Sequence, residues 1–390
     1  MTDDAPQGPT SRRVLVLGAG IGGLAAAAAL GRIGRDVEVL EQAPAIGEVG
    51  AGLQISPNGV RVLRSLGVDP RQAGDQTEAV ELRDAAGRLV TRMDLPADPG
   101  FFLCHRADLM SVLERAARAS GAQIHTLQRV ERVDLSGPLA QGVTAIGSMH
   151  ESPLMIGADG LHSVLRGALN GAAAPFFTGQ VAWRALIEGD GRPPVAQVFM
   201  GPGRHLVSYP LRGGRLRNIV AVQERRFWAA EGWNHPDDPA NLREAFAGFG
   251  GPVPEWLAAV GQVFLWGLFR HPVAARWHDG AGRAALLGDA AHPTLPFMAQ
   301  GACMALEDAA SLAKALQRHE SPTQALAQYG ATRAPRCRAI VEMANRNARN
   351  YHLRAPVAPL AQGALRLVGR VAPGLALRRY GWIHDHDATA

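Results

Sequence analysis

The chain has 390 residues, 47% of them hydrophobic and 19% charged, with a formal net charge of +5 at pH 7. That length can bury a large core and predicts two closely joined domains. The positive charge is nearly all arginine, Lys314 being the only lysine, and no aromatics interleave with it, which argues against a nucleic-acid partner. Cys104, Cys303 and Cys337 form no Cys-x-x-Cys pair, so neither a disulfide framework nor a metal site is expected, and a reducing cytoplasm is. Residues 1–11 are acidic and proline-containing; they read as a disordered tail, not a secretory signal. No run approaches the roughly 18 apolar residues of a membrane span, so no membrane partner is expected.

The first element is an apolar strand, Val14-Leu15-Val16-Leu17, running into Gly18-Ala19-Gly20-Ile21-Gly22-Gly23 and an alanine run. Gly18 permits a sharp turn, Gly20 lets a diphosphate approach the backbone, and Gly23 lets the new helix pack closely on the sheet. The phosphates then sit at the helix N-terminus. A second strand, residues 37–40, ends at Glu41-Gln42, where the Glu41 carboxylate is placed to accept hydrogen bonds from ribose hydroxyls and repels a 2′-phosphate. Strand, glycines, helix and acid in this order predict nucleotide binding.

Further along, helices are expected near 57–66 and over 106–120, where Leu109, Val112, Leu113 and Ala116 form one stripe. Residues 123–135 alternate like one strand, and 154–156 read as a short buried strand. Between 181 and about 276 the pattern changes to strand-like runs at 181–187, 205–211 and 219–223, with a helical stretch at 241–249. This predicts an antiparallel sheet inserted between two halves of the nucleotide domain. Helices follow at 301–317, from 322 to about 350, and at 360–368. The expected division is 12–178 with 278–352 for the nucleotide domain, 179–277 for the substrate domain and 353–390 for a C-terminal helical region. Part of 75–100 is free to join the inserted sheet.

Two further motifs carry chemistry. In Gly157-Ala158-Asp159-Gly160-Leu161-His162-Ser163-Val164-Leu165-Arg166, Asp159 and Ser163 look like helix caps and Arg166 can reach a phosphate. In Gly288-Asp289-Ala290-Ala291-His292-Pro293, Asp289 reads either as a ligand or as a plain helix cap. Arg106, at a helix start, suits a bidentate phosphate contact. His205 and Tyr209 share one face of a strand, about 13 Å apart if the strand is regular. They either grip opposite ends of a ligand or are drawn together by a bulge.

With its three motifs in this order, the chain resembles the class A, single-component FAD-dependent aromatic hydroxylases, above all the salicylate, 3-hydroxybenzoate and 6-hydroxynicotinate hydroxylases. The resemblance implies an α/β fold: a doubly wound, Rossmann-like FAD-binding domain, an inserted antiparallel substrate sheet and C-terminal helices. It implies FAD as cofactor, NADH or NADPH as electron donor and O₂ as co-substrate, with a flavin C4a-hydroperoxide hydroxylating a small phenolic acid. By the same resemblance Gly18, Gly20, Gly23, Glu41, Gln42, Arg106, Asp159 and Asp289 hold the cofactor, and Gly301 and Ala302 present N–H groups to the flavin pyrimidine. Gln54 and Pro296 fall on the substrate side. His205 is the candidate base and Tyr209 orients the substrate. Some positions depart from relatives: Ala299 and Cys303 where glycine is frequent, Gln54 where hydroxynicotinate hydroxylases carry histidine, and Pro296 where a 3-hydroxybenzoate 6-hydroxylase carries glutamine. Trp183-Arg184 also matches these relatives, but the direction in which Arg184 faces is not readable. A monomer or homodimer is expected. Two rivals stay open: a flavoprotein dehydrogenase or reductase on the same fold, and a non-catalytic flavin-binding sensor.

Overall fold

A computed structural model describes residues 12–47, 52–227, 235–372 and 374–390; the tail expected over 1–11 lies outside the described residues. Five parallel strands form the nucleotide half, in the order Ala284–Leu286, Leu154–Gly157, Arg13–Leu17, Asp36–Leu40, Gln123–His125. Leu17 pairs with Gly157, and Gly157 with Leu286, so three strands distant in sequence end in one row. Gly18, Ala158 and Gly288 therefore leave the sheet at its carboxyl edge, where open α/β sheets bind ligands. The helix Ile21–Arg32 is buried along residues 21–30, because small alanines let it lie between the sheet and the helices Arg106–Ala119 and Gly301–Arg318.

The single strand expected over 123–135 is instead two, Gln123–His125 and Val130–Asp134, which belong to different sheets. Leu127 turns the chain with φ +58°, and the turn docks beside the second strand: the N–H of Gln128 donates to the carbonyl of Glu41 at 2.8 Å. Alternating polarity carries no mark of that break.

The inserted sheet has eight strands, in the order His235–Asp237, Val263–Arg270, Phe176–Glu188, Leu216–Glu224, Arg204–Leu211, Val195–Gly201, Ala79–Asp84, Leu89–Asp94. It is antiparallel except where Ala79–Asp84 runs parallel to Val195–Gly201. Period-two alternation divides its residues between two faces. Val181, Trp183, Ala185, Leu206, Ile219 and Ala221 pack outward against Phe246 and Trp256, from the short helices Pro239–Ala245 and Val253–Ala258 and the residues just after them. Ala182, Arg184, His205, Val207, Tyr209, Val220 and Val222 take the opposite face, toward the nucleotide half.

Behind that half, the helices Gly301–Arg318 and Pro322–Tyr351 share a buried ionic network. Arg333 donates through Nε to Asp308 at 2.7 Å and through Nη1 to Glu307, all three side chains being solvent-free. Arg336 donates twice to Glu307 at 2.8 Å, and Asn58 once at 2.6 Å. Arg336 also reaches the carbonyls of Trp382 and Ile383, both at 2.9 Å, tying down the C-terminal segment. Asp308 further accepts from the N–H of Gly288 at 2.9 Å and pairs with His292. His292, Asp308 and Cys337 cluster closely enough to suggest a metal site, but Arg333 sits among them, 3.6 Å from the Cys337 Sγ. A guanidinium in that position opposes a second cation.

Burial pushes both carboxyls up. Arg333 and Arg336 overcome this at Glu307, and His292 and Arg333 at Asp308, so each is held down to about 2. Depressed carboxyl values stabilise the fold above the unfolded value of roughly 4, and that stability disappears as pH falls through the folded one. Denaturant midpoints should therefore hold steady from neutrality to about pH 5 and fall steeply below. Arg333→Met should cost about 3–5 kcal/mol in urea unfolding, because it removes the buried guanidinium shared by Glu307 and Asp308 and leaves Asp308 with His292 as its one charged partner; a loss below 1 kcal/mol would show that the network does not hold these helices together.

Candidate active site

The glycine turn divides into positions that the fold needs and one that it leaves free. Gly18 has φ +94°, and a Cβ there would lie 2.6 Å from the Ala158 carbonyl oxygen. At Gly23 a Cβ would stand 1.9 Å from the Gly18 carbonyl oxygen. Gly20, at φ −70°, would meet nothing within 4 Å, because it faces a cavity of about 800 Å³. A residue type that the protein itself does not require, placed beside empty space, fits a close approach by a ligand.

The same cavity is lined by Glu41, Gln42, Arg106, Asp159 and Asp289. The Glu41 carboxylate accepts from the N–H groups of Ala19 at 2.6 Å and Ala43 at 2.8 Å, which fixes its aim and leaves lone pairs for ribose hydroxyls. Asp159 accepts the Val164 N–H through Oδ2 at 2.8 Å, while its Oδ1 is buried without a partner. Gln128, which the sequence reading missed, also lines the cavity and has a buried, unpartnered Oε1. Its only signal is the turn that brings it beside Glu41. Two orphaned acceptors in one cavity suit the donors of a nucleotide.

Arg166 behaves differently from expectation. Its guanidinium donates to the carbonyls of Ala290 at 2.9 Å, Ala291 at 3.3 Å and Pro272 at 2.7 Å. Those bonds hold the third motif in place and leave the side chain unavailable as a phosphate ligand. Ser163 caps the helix Val164–Asn170 as expected, accepting the Arg166 N–H at 2.9 Å.

Asp289 lies inside a 3₁₀ turn, Gly288–Ala290, and so begins no α-helix. Its exposed surface opens into the cavity. The surrounding protein raises its carboxyl pKa, opposed by His292 and Arg106. The helix starting at Gly301-Ala302 has no side-chain N-cap, since the Gln300 side chain is turned to Ser56 and Asn58. Its first N–H groups thus keep their positive end available for negative charge. Ala299 takes φ +51°, which explains why glycine is frequent there: alanine costs about 1 kcal/mol in that conformation. Cys303 is fully buried, its Sγ 3.5 Å from the Ser56 N–H.

On the sheet side, His205 and Tyr209 lie on an unbroken strand, so no bulge draws them together. His205 is 1% exposed, with the ring of Phe297 at 5.2 Å and that of Tyr351 at 5.2 Å. Burial and the facing His352 hold its imidazole well below the ordinary value, so titration near 6.5 does not apply to it. Tyr209 is buried, its hydroxyl pKa pushed up by desolvation, and its ring abuts Gly52. Because a Cβ on Gly52 would project at Tyr209, the side chain of Gln54, two residues on, shares that direction. Pro296 is exposed at the start of the turn that carries Phe297. Arg184 lines the cofactor cavity and stacks on Trp266 at 4.4 Å, which answers the question of its direction. Across the strands Arg184 pairs with Val220, and Val220 with Val207. These three are only half-buried, whereas His205 and Tyr209 on either side of the row are buried.

A family model described as an FAD binding domain matches residues 11–344. The chain is 36% identical to the 3-amino-4-hydroxybenzoate 2-monooxygenase of Streptomyces cremeus, over 87% of this chain and 88% of that protein. It is also 36% identical to a 3-hydroxybenzoate 6-hydroxylase of Polaromonas naphthalenivorans, over 92% and 91%. Among solved structures, a salicylate hydroxylase substrate complex matches with TM-score 0.82 and 25% identity, over 97% of this chain and 96% of that one. The cavity and fold thus define an FAD-binding oxidoreductase. The chain belongs to the family of class A FAD-dependent aromatic hydroxylases.

The glycines give a test. Gly20→Val should fold with an unchanged thermal midpoint when freed of cofactor, yet lose FAD, whereas Gly23→Val should fail to fold. Asp289→Ala should likewise fold with reduced flavin content. Full flavin occupancy in Gly20→Val and Asp289→Ala, read from absorbance after purification, would remove this cavity as the FAD site.

Proposed function

We propose that the protein is a single-component monooxygenase that hydroxylates a small phenolic acid, taking electrons from NADH or NADPH and oxygen from O₂. One observation carries the reading: half-buried Val207 and Val220 lie between His205 and Tyr209 on the sheet face turned to the nucleotide half, and Arg184, at the end of their row, lines the cofactor cavity. A flat ring suits two valines, a carboxylate suits a guanidinium, and a phenol suits an imidazole. The relatives named for hydroxybenzoates support the same substrate class.

Bound FAD supplies the two-electron redox chemistry and the activation of O₂. The chain's own residues bind, orient and deprotonate. Arg184 takes the carboxylate, Tyr209 orients the far end of the substrate together with Gln54, and Phe297 with Leu295 excludes water from above His205. His205, neutral because of its burial, accepts the phenol proton and so makes the ring electron-rich. The exposed stripe Val357, Leu360, Leu367 and Val371 on the C-terminal helix supports a homodimer over a monomer. No helix among the described residues is long and apolar enough to cross a membrane.

A panel of hydroxybenzoates and hydroxypyridines should contain a compound that both stimulates NADH oxidation and returns hydroxylated. Stimulation without product would favour the dehydrogenase reading, and no turnover with any donor the sensor reading. NADH should serve with NADPH no better, judged by kcat/KM. His205→Ala should cut coupled hydroxylation by about 10²-fold or more. Tyr209→Phe should cost on the order of 1–3 kcal/mol. Both should keep FAD while diverting oxygen to hydrogen peroxide; coupled turnover at the normal rate in both would take the pair out of the site.

A further inference from the structure

His205 is the innermost member of a hydrogen-bonded chain that ends at the surface. Its Nδ1 lies 2.7 Å from Nε2 of His352, and Nδ1 of His352 lies 3.0 Å from Oε1 of Glu224. The side chain of His352 is 1% exposed and that of Glu224 41%, so the chain runs from the interior to water. Arg354 donates to the other oxygen of Glu224 at 3.0 Å and holds the carboxylate in place. Backbone bonds fix the frame: Gly203 donates to the carbonyl of His352, and Glu224 to that of Gly203.

The chemistry of the end group dictates every proton position. An ionised carboxylate only accepts, so His352 carries its hydrogen on Nδ1 and offers a lone pair at Nε2. His205 must then carry its hydrogen on Nδ1, so its lone pair lies on Nε2, the edge that the reading of His205 as the base turns to the substrate. An unpaired histidine would be divided between two tautomers, one of them useless as a base.

We propose that His352 and Glu224 form a proton relay that fixes the basic tautomer of His205 and carries the substrate's proton to solvent. The proposal rests on the reading of His205 as the base. The phenol O–H breaks as an N–H forms at Nε2 of His205. The Nδ1 proton of His205 passes to Nε2 of His352, the Nδ1 proton of His352 passes to Glu224, and Glu224 releases it to water. Charge is conserved at each transfer, and no oxidant is involved. The groups that face the relay are the ring of Tyr351, the edge of Phe297 and the guanidinium of Arg354, of which only Arg354 is charged. The relay gives a buried imidazole an outlet, so that the positive charge it acquires need not stay in an apolar site. His352 and Glu224 are positioning residues, since neither meets the substrate.

The experiment uses the FAD-loaded enzyme and 3-hydroxy-4-nitrobenzoate, whose phenolate absorbs in the visible, to follow ionisation of a bound phenol after a pH jump. Glu224→Gln should slow that ionisation by about 10- to 100-fold, the scale seen when the carboxylate that orients a metal-ligating histidine is lost. Flavin content, thermal midpoint and the dissociation constant of the probe should stay unchanged. Glu224→Asp should restore most of the rate, and added imidazole buffer should accelerate Glu224→Gln but not the wild type. His352→Phe, which keeps an aromatic ring, should be as slow as Glu224→Gln. Independently of any ligand, ¹⁵N NMR of the wild-type imidazoles should place hydrogen on Nδ1 of both His205 and His352. Hydrogen on Nε2 of His205, or an ionisation rate unmoved in both Glu224→Gln and His352→Phe, overturns the relay. Unslowed ionisation in His205→Ala, with the His205 tautomer as stated, instead overturns the reading of His205 as the base.

Discussion

Asp308 is the constraint on which the cofactor side depends. It has no solvent, yet it binds the N–H of Gly288 where the third motif leaves the sheet, and His292 four residues later. Gln300, bonded to Ser56 and Asn58, fixes the other end of the same loop. A loop pinned at 288, 292 and 300 can hold Asp289 toward the cavity and Phe297 toward the sheet at once. Burying a carboxylate for this purpose is tolerable only because Arg333 is buried with it, and the second guanidinium of Arg336 balances Glu307. The network therefore trades some desolvation for a single loop shape.

The two halves of the site are built by different physics. In the nucleotide half, backbone meets backbone: Gly18, Gly23 and Ala158 approach so closely that side chains have no room. In the sheet half, side chains alternate between a packed outer face and an inner face that is covered only in part. Arg184 belongs to the inner face yet lines the cofactor cavity, so it joins the halves. Trp266 beneath it restrains the guanidinium without neutralising it.

Much of this was legible because it is local. The glycine spacing, the acid at Glu41 and the alternation around His205 and Tyr209 are each set by a few neighbouring residues, and the helices from 301 onward follow from periodicity. What escaped was set by distant partners. Nothing near Arg166 says that its guanidinium will meet carbonyls at 272, 290 and 291. Asp308 and Arg333 read as ordinary charged helix positions until two helices pack together. His352 follows the last residue of a long helix and gains meaning only beside residues 205 and 224. The break at Leu127 was hidden by alternation that continues across it, and so was the nearness of Gln128 to the nucleotide site.

That division has a consequence for substrate choice. Substituting Gly23 forces atoms into backbone, so the cradle can scarcely vary while the fold persists. Arg184, Leu186, Val207 and Val220 keep part of their surface free on the inner face, and Gln54 and Pro296 are likewise only partly covered or exposed. Leu186, Val207 and Val220 still pack against small inner-face clusters, while the larger cluster around Trp183, Phe246 and Trp256 holds the sheet by its other face. The departures at Gln54 and Pro296 fall among the positions that are free to vary, whereas the departure at Ala299 falls on the strained loop, where the left-handed backbone penalises the extra methyl group. On the proposed function, differences of the first kind fall on the substrate side of the site, and a difference of the second kind falls on the loop pinned at 288, 292 and 300.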